Sequence, residues 1–226
     1  MSKTFMSKTA ILVDGGFYQK RAQYLWGRKT PADRANELIT YCMHHLKEKH
    51  EDHQLYRIFY YDCPPIGIPK YHPFLKTNVN LKKTESYIWM TDFLNELRKK
   101  RKVALRLGML AEKQSVYTLS NDAVKDLCNG RKKWEEIKAA DFVLNLEQKG
   151  VDIKIGIDIA SLAYKKQIEQ IVLISGDSDF VPAAKLARRE GLDFVLDPLH
   201  ADIKPELFEH IDGLRSCAPK PKLNIK

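Results

Sequence analysis

Short apolar runs alternate with amphipathic segments along most of the chain, a pattern typical of strands and helices that follow one another in turn. The apolar runs predict strands at residues 9–13, 55–62, 103–110, 171–174 and 192–196. Apolar residues at helical spacing predict helices at residues 31–49, 85–102, 121–129, 151–166, 180–190 and 205–214. Strands that alternate with helices favour an α/β fold with a mostly parallel central sheet and helices on both faces.

The middle of the chain departs from this alternation. Residues 64–84 are rich in Pro, Lys and polar side chains and predict a long loop, a feature that often serves as a lid or binding segment. Residues 115–119 could pair with residues 103–110 as a hairpin. The predicted organisation is a flexible N-terminus (1–8), one main domain (9–215) that carries an inserted helix-hairpin segment (about 63–148), and a basic flexible tail (216–226).

Composition narrows the class of protein. The chain has 226 residues and 44% of them are hydrophobic, which is typical of a globular domain that needs neither a disulfide nor a metal to fold. No apolar run is long enough to cross a bilayer, and the first residues lack the apolar core of a secretory signal. We therefore expect a cytoplasmic protein without a membrane partner, and self-association as a homo-oligomer stays open.

The cysteines and histidines offer no metal-site spacing. The cysteines form no C-x-x-C pair and are expected to be reduced thiols; they are Cys42, Cys63, Cys128 and Cys217. The histidines near the end of the second predicted element favour a solvated face over a zinc site; they are His44, His45, His50 and His53.

One run of basic residues is a candidate for polyanion binding. The formal net charge of the chain is +9, and five consecutive cations stand at the end of the helix predicted at 85–102. Such a run attracts phosphates, but the helix dipole also favours cations at a solvated helix end, so both interpretations stay open. The residues are Arg98, Lys99, Lys100, Arg101 and Lys102.

Aspartates stand where two predicted strands end. Asp14 closes the first strand, and Asp177 and Asp179 follow the strand at 171–174. The carboxyl ends of neighbouring parallel strands meet at one edge of a sheet, which is where ligands bind in such folds. Asp158, on the preceding helix, could lean into the same edge. Asp152 is a weaker candidate, because six residues correspond to a rotation of about 240° away from Asp158.

Converging carboxylates repel one another. Two unit charges about 4 Å apart cost about 4 kcal/mol at an effective dielectric constant of about 20, so such a cluster needs protons or cations. Oxygen ligands suit Mg²⁺ or Mn²⁺, and either ion can activate water for attack on a phosphodiester. Each acid also has a simpler interpretation: Asp14 as a turn residue, Asp177 and Asp179 as helix caps, and Asp158 as an exposed acid beside Lys154.

Residues beside the acids are candidate substrate contacts. Tyr18, Lys20 and Arg21 follow the first acid, and a base can stack on an aromatic ring while a phosphate pairs with a cation. Tyr18 could equally be a core residue. Ser175 and Ser178 could bind a phosphate or orient an aspartate, or could cap a helix.

Three motifs around these acids resemble the signatures of a known family. They are Ile-Leu-Val-Asp-Gly-Gly at 11–16, Lys-Gly-Val-Asp-Ile-Lys-Ile-Gly-Ile-Asp-Ile-Ala-Ser at 149–161 and Val-Leu-Ile-Ser-Gly-Asp-Ser-Asp-Phe at 172–180. The motifs are similar to those of NYN domains, which belong to the PIN-like nuclease superfamily, and the likeness is greatest to the bacterial LabA-like branch. It covers roughly residues 8–215.

The resemblance implies a PIN-like three-layer sandwich and a metal-dependent endoribonuclease that leaves a 5′-phosphate and a 3′-hydroxyl. Carried over by motif, Asp14, Asp158, Asp177 and Asp179 would be the catalytic acids that bind Mg²⁺ or Mn²⁺, and RNA would be the partner. One position departs from the pattern, because Phe17 stands where many members have Asn. The change removes a polar side chain at this position and puts a polar contact, and with it activity, in question.

The sequence therefore predicts a metal-dependent ribonuclease, with two alternatives. One is a catalytically silent module of the same fold that binds RNA or protein. The other is a phosphatase of the haloacid-dehalogenase kind, which needs an acid two residues after Asp14, where this chain has Gly16.

Overall fold

The computed structural model of the protein describes residues 7–47 and 53–219. In chain order the strands are β1 (Lys8–Asp14), β2 (Gln54–Asp62), β3 (Lys70–His72), β4 (Thr77–Val79), β5 (Val103–Leu107), β6 (Met109–Leu110), β7 (Val116–Leu119), β8 (Phe142–Asn145), β9 (Gln148–Lys149), β10 (Gln170–Ile174), β11 (Asp193–Asp197) and β12 (Gly213–Leu214). The α-helices are α1 (Gly15–Trp26), α2 (Pro31–His44), α3 (Glu85–Arg98), α4 (Asn121–Cys128), α5 (Val151–Lys165), α6 (Val181–Arg189) and α7 (Pro205–Phe208).

The central sheet has six parallel strands in the order β12-β11-β10-β1-β2-β5. The two middle strands, β1 and β10, consist almost entirely of aliphatic residues, and residues 10–13 and 171–174 have no exposed surface. Strands buried on both faces are what a parallel sheet between two helical layers requires. The predicted α/β fold with helices on both faces of a mostly parallel sheet is confirmed.

Two neighbouring tyrosines of β2 show which helices cover which face. Successive side chains of a strand point to opposite faces. The Tyr60 hydroxyl accepts a hydrogen bond from Gln19 of α1 (3.4 Å), whereas the Tyr61 hydroxyl donates to Asp158 of α5 (2.9 Å). Helix α1 therefore lies on one face, where its aromatic rings pack against α2, and α5 lies on the other, where it packs against α6.

The chain divides into two compact units. The first holds the central sheet and its helices, within residues 1–62, 92–108 and 150–226. The second comprises residues 63–91 and 109–149, and its described part contains α4 and the antiparallel pairs β3–β4, β6–β9 and β7–β8. Within this second unit the ring of His72 packs against Tyr117 (centroids 4.4 Å apart) and Phe142 (5.3 Å).

Several predicted elements differ from the structure. Helix α1 was not predicted, because two glycines open it and Gly is a poor helix former. The apolar stretch 103–110 is interrupted at Gly108, so that β5 joins the central sheet while β6 pairs with β9. Strand β7 pairs with β8 and not with 103–110, and the segment 205–214 divides into α7 and β12. Pairing partners distant in sequence leave no trace in local periodicity.

The predicted flexible ends lie mostly outside the described residues, as do residues 48 and 49 of the helix predicted at 31–49. The described helix α2 ends earlier than predicted, at His44. In the described ranges, none of the helices combines the length and apolar character needed to cross a membrane.

Candidate active site at the carboxyl edge of the sheet

Asp14 ends β1 and caps α1. Its Oδ1 accepts a hydrogen bond from the Phe17 amide (3.1 Å), one of the N–H groups at the helix start that lack an intrahelical partner. Its Oδ2 accepts from Ser175 Oγ (3.1 Å), which follows the neighbouring parallel strand β10. The carboxylate is thus held from two elements.

Asp177 and Asp179 lie in the loop that follows β10. Ser175 Oγ accepts from the Asp177 amide (3.3 Å) while it donates to Asp14, so one hydroxyl links the two acidic segments. Asp177 Oδ1 in turn accepts from the Asp179 amide (3.0 Å) and caps the short 3₁₀ turn at residues 178–180. Both carboxylates are exposed, whereas the serine is fully buried.

Asp152, in the first turn of α5, faces these acids. Its pKa is raised by partial burial, then by the charges of Asp177 and Asp179. The pKa of Asp14 is also raised: burial is the main cause, the bonds from Phe17 and Ser175 oppose it, and the charges of Asp152 and Asp177 add to it. These carboxylates therefore share one electrostatic environment. We call Asp14, Asp152, Asp177 and Asp179 the acidic cluster.

Asp158 is not brought into this cluster. Its Oδ2 accepts from Tyr61 Oη (2.9 Å) and from Arg106 Nε (2.9 Å), on β2 and β5. Six residues after Asp152, it is rotated by about 240° and lies about 9 Å further along α5. The structure thus separates Asp158 from the other three predicted acids and places Asp152, the weaker candidate, among them.

Glycine allows the acidic loop to approach α1 closely. A Cβ atom on Gly176 would lie 2.8 Å from the ring of Phe17, closer than real Cβ contacts. Phe17 therefore packs directly on the loop that carries Asp177. The absence of a side chain at Gly176 leaves the space that the ring of Phe17 occupies.

One further carboxylate at this edge, that of Asp62, was not among the predicted site residues. Asp62 ends β2, is buried, and accepts a hydrogen bond from Tyr60 Oη (2.9 Å). A Cβ atom on Gly15 would lie 2.5 Å from Asp62 Oδ2, so α1 begins very close to this carboxylate. The signal was available in the sequence, since Asp62 ends an apolar strand just as Asp14 does.

The predicted substrate contacts near the acids have different surroundings. Tyr18 is fully buried, with its hydroxyl 3.4 Å from Glu37, which favours the core-packing alternative. Arg21 donates from Nε and Nη2 to the carbonyl of Leu199 (3.2 and 2.7 Å), and Lys20 is exposed.

Ser178, in the acidic loop, contacts Lys204, a cation that was not among the predicted site residues. Its Oγ accepts a hydrogen bond from Lys204 Nζ (3.0 Å), just before α7. The sequence offered little signal for this contact, because 26 residues separate the partners.

The predicted basic run lies at the opposite edge of the sheet. Lys102 immediately precedes β5, and its carbonyl accepts from the Ile58 amide (2.9 Å) near the start of the pairing between β2 and β5. The acidic cluster instead lies beyond the carboxyl ends of β1 and β10. Four members of the run have hydrogen-bond partners: Arg98 with Asn95, Lys99 with Glu96, Lys100 with Asn36, and Lys102 with the carbonyl of Leu55.

The acidic cluster has the donor chemistry of a site for a hard divalent cation. Within residues 7–47 and 53–219, no three His, Cys, Asp or Glu side chains are grouped tightly enough to hold a metal ion by themselves. Mg²⁺, however, is commonly held by one or two carboxylates and keeps several of its waters. Asp14 and Asp152 have raised pKa values and lie near other carboxylates without forming a closed set of ligands, which fits that mode of binding.

Comparisons with known proteins test the family assignment. A likeness in fold was found to a protein of unknown function from Vibrio parahaemolyticus, with 11% sequence identity, a TM-score of 0.46, and coverage of 95% of this chain and 94% of that chain. That likeness is too low to support an argument about function. No curated protein matches the chain.

The family model of the NYN domain matches residues 78–202, more than half of the 226-residue chain. The matched range includes Asp152, Asp158, Asp177 and Asp179, and Asp14 precedes it. The predicted family is confirmed, whereas the LabA-like branch stays a prediction. The chain belongs to the NYN domain family, within the PIN-like nuclease superfamily.

Proposed function

We propose that the protein is a metal-dependent ribonuclease that hydrolyses RNA phosphodiester bonds at the acidic cluster. The observation that carries the proposal is the approach of acidic segments at the carboxyl edge of the sheet: Ser175 Oγ links Asp14 to the loop of Asp177, and the charges of Asp152 and Asp177 raise the pKa of Asp14. A fold that gathers carboxylates against their repulsion loses stability unless a bound cation offsets it. Family membership makes nuclease chemistry the leading use of such a site.

One or two carboxylates of the acidic cluster, together with water, would hold Mg²⁺ or Mn²⁺. When bound, such an ion supplies an activated water and stabilises the charge that develops on the phosphate. Ser175 fixes the orientation of Asp14 and the loop of Asp177 through one hydroxyl. Lys204, held against Ser178, places a positive charge beside the loop where an RNA phosphate would approach. Packing of Phe17 on Gly176 sets the position of that loop.

Within this proposal Asp158 positions α5. Its carboxylate is already occupied by Tyr61 and Arg106, which tie the helix to β2 and β5. The helix in turn carries Asp152 to the cluster. This assignment differs from the role that the family motif implies for Asp158, and the two roles give different outcomes when the residue is changed.

The test measures cleavage of a labelled single-stranded RNA by the full chain in Mg²⁺ or Mn²⁺, and in EDTA. Asp177→Asn should lower the cleavage rate by about a hundredfold or more, as loss of a group that stabilises the transition state does. The amide keeps an oxygen that can accept from the Asp179 amide, so the melting temperature should change little. Asp158→Asn is the matched control and should keep most of the activity.

The proposal fails if the wild-type chain does not cleave RNA in either metal, or if Asp177→Asn cleaves as fast as wild type. Loss of activity in Asp158→Asn at an unchanged melting temperature would instead favour the family assignment of that residue.

The silent RNA-binding module stays a second candidate because Phe17 occupies the position of a polar family residue. Metal-independent RNA binding without cleavage would support it. Release of phosphate from small monoesters would point to the phosphatase alternative, although Gly16 lies within α1 and offers no second acid.

A further inference from the structure

A buried polar cluster lies on the α2 side of the sheet, apart from the acidic cluster. Asp197 ends β11 and has no exposed surface. Its Oδ2 accepts from Tyr41 Oη and pairs with His45 Nε2 (2.8 Å), and its Oδ1 accepts from Ser216 Oγ (2.7 Å) and from the Leu199 amide (2.8 Å). One buried carboxylate thus collects four polar contacts from three segments of the chain.

This arrangement sets the proton positions on His45. A carboxylate accepts hydrogen bonds, so a proton on Nε2 satisfies the contact with Asp197 and directs Nδ1 toward the thiol. Nδ1 lies 3.4 Å from Cys217 Sγ. Asp197, His45 and Cys217 thus form a row of carboxylate, imidazole and thiol, the order in which a base held by a third group activates a nucleophile.

The thiol at the end of this row is accessible. Cys217 is partly exposed and contributes to the wall of a cleft of about 720 Å³. Titratable or charged groups around it are Tyr41, Cys42 and Arg215, and those on the cleft wall also include Arg28, Lys29, Asp33, Glu37 and His44. A small molecule can therefore reach the sulfur without unfolding of the chain.

The other cysteines have different environments. Cys42 is fully buried, and its pKa is raised by that burial and by the charges of Asp197 and Cys217, so it stays a neutral thiol. Cys63 is buried too. Cys128, at the end of α4, is exposed and serves as an ordinary surface thiol for comparison.

We propose that Cys217 is a reactive thiol, activated by His45 and Asp197, that undergoes exchange with low-molecular-weight disulfides in the cleft. Its S–H proton passes to His45 Nδ1 while Sγ bonds to one sulfur of the disulfide. The S–S bond of the incoming molecule breaks, and the second sulfur leaves with the electron pair and takes the proton from His45. Cys217 is oxidised to a mixed disulfide, and the incoming disulfide is reduced to one thiol.

Disulfide exchange suits the site better than acyl transfer. Acyl transfer needs N–H donors aimed at a developing oxyanion. The amide of Cys217 instead donates to Tyr41 Oη (3.2 Å) and is not directed at a substrate. Exchange needs only a thiolate, an accessible sulfur and a proton for the leaving group. Because Cys42 stays protonated, it does not resolve the product, and the mixed disulfide accumulates.

The first experiment compares two cysteines of the same chain. The full wild-type protein is treated with iodoacetamide from pH 5.5 to 9, and modification of the peptides with Cys217 and Cys128 is followed by mass spectrometry. At pH 6 Cys217 should react about tenfold or more faster than Cys128, because an activated thiol is ionised where an ordinary one is not. Equal or slower reaction of Cys217 at pH 6 would overturn the proposal, and this comparison needs no variant that must fold.

The second experiment uses oxidised glutathione as the probe. Wild type should gain one glutathionyl group on Cys217, and Cys217→Ser should gain none there. His45→Gln should slow modification of Cys217 about tenfold and leave Cys128 unchanged. A glutathionylation rate of Cys217 that is unaffected in a folded His45→Gln chain would refute activation by the imidazole. Neither readout depends on nuclease activity.

Discussion

At the scale of one residue, Asp14 is a side chain of the candidate site whose ionisation lowers the stability of the fold. The residue caps α1 and also lies within range of two other carboxylates. Its folded-state pKa is raised above the unfolded value of about 3.9. The fold therefore loses stability as the pH rises from about 3.9 through the folded-state pKa, and that loss persists at neutral pH.

We expect Asp14→Asn to melt at a higher temperature than wild type at pH 7 without divalent metal. The amide can still accept from the Phe17 amide, while the charge and its repulsion are removed. About 1 kcal/mol corresponds to roughly 2–4 °C in a chain of this size. Calorimetry from pH 4 to 8 checks the sign: the difference in melting temperature between the variant and wild type should increase in favour of the variant as the pH rises above about 4. A variant that melts lower than wild type at pH 7 would contradict this account.

At the scale of the element, α5 depends on contacts along its length. Near its middle, Asp158 receives the hydroxyl of Tyr61, whose pKa is raised by burial and by the neighbouring carboxylate, so the hydroxyl stays a donor. Arg106 adds an ion pair whose arginine side chain is 45% exposed and lies over the ring of Phe59 (5.4 Å). The buried hydroxyl should matter more than the screened ion pair.

Tyr61→Phe should lower the free energy of unfolding by about 1 kcal/mol, because the substitution removes one buried hydrogen bond to a carboxylate. Arg106→Gln should lower it by less than about 1 kcal/mol. Urea denaturation measures both, with exposed Tyr24→Phe as the control that should have no effect. Equal losses in the tyrosine variant and its control would show that the bond to Asp158 does not anchor the helix.

At the scale of the whole sheet, the acids and the basic run occupy opposite edges. A strand rises about 3.3 Å per residue, so the five residues of β5 separate the two edges by about 16 Å. One phosphate cannot contact both sites. An RNA held by both would have to extend along the protein.

Replacing Arg98, Lys99 and Arg101 with Gln should weaken binding of a long RNA. The slope of log K against log salt concentration should become shallower by about two, because each lost phosphate contact removes about 0.7. Cleavage of a short oligonucleotide that spans only the acidic edge should be unchanged. Lys204→Gln, at that edge, should weaken binding of both substrates. Filter binding at several salt concentrations distinguishes the outcomes, and an unchanged slope in the triple variant would assign the run to a solvated helix end.

Local sequence was sufficient for the elements that form the centre of the sheet. The runs at β1, β2, β10 and β11 are short and rich in aliphatic or aromatic residues, which predicted strands, and Asp14, Asp177 and Asp179 were singled out because they end or follow two of these strands. Helical periodicity likewise predicted α2, α3, α5 and α6.

Only the tertiary structure decided which of these elements meet. Periodicity gave the angle between Asp152 and Asp158, but the side of α5 that faces the sheet depends on packing over the whole helix. The edge occupied by the basic run and the contact of Cys217 with His45, 172 positions apart, follow from strand order. Side-chain period is a local property of the chain, whereas strand pairing and helix rotation are set by the burial of surface between distant segments.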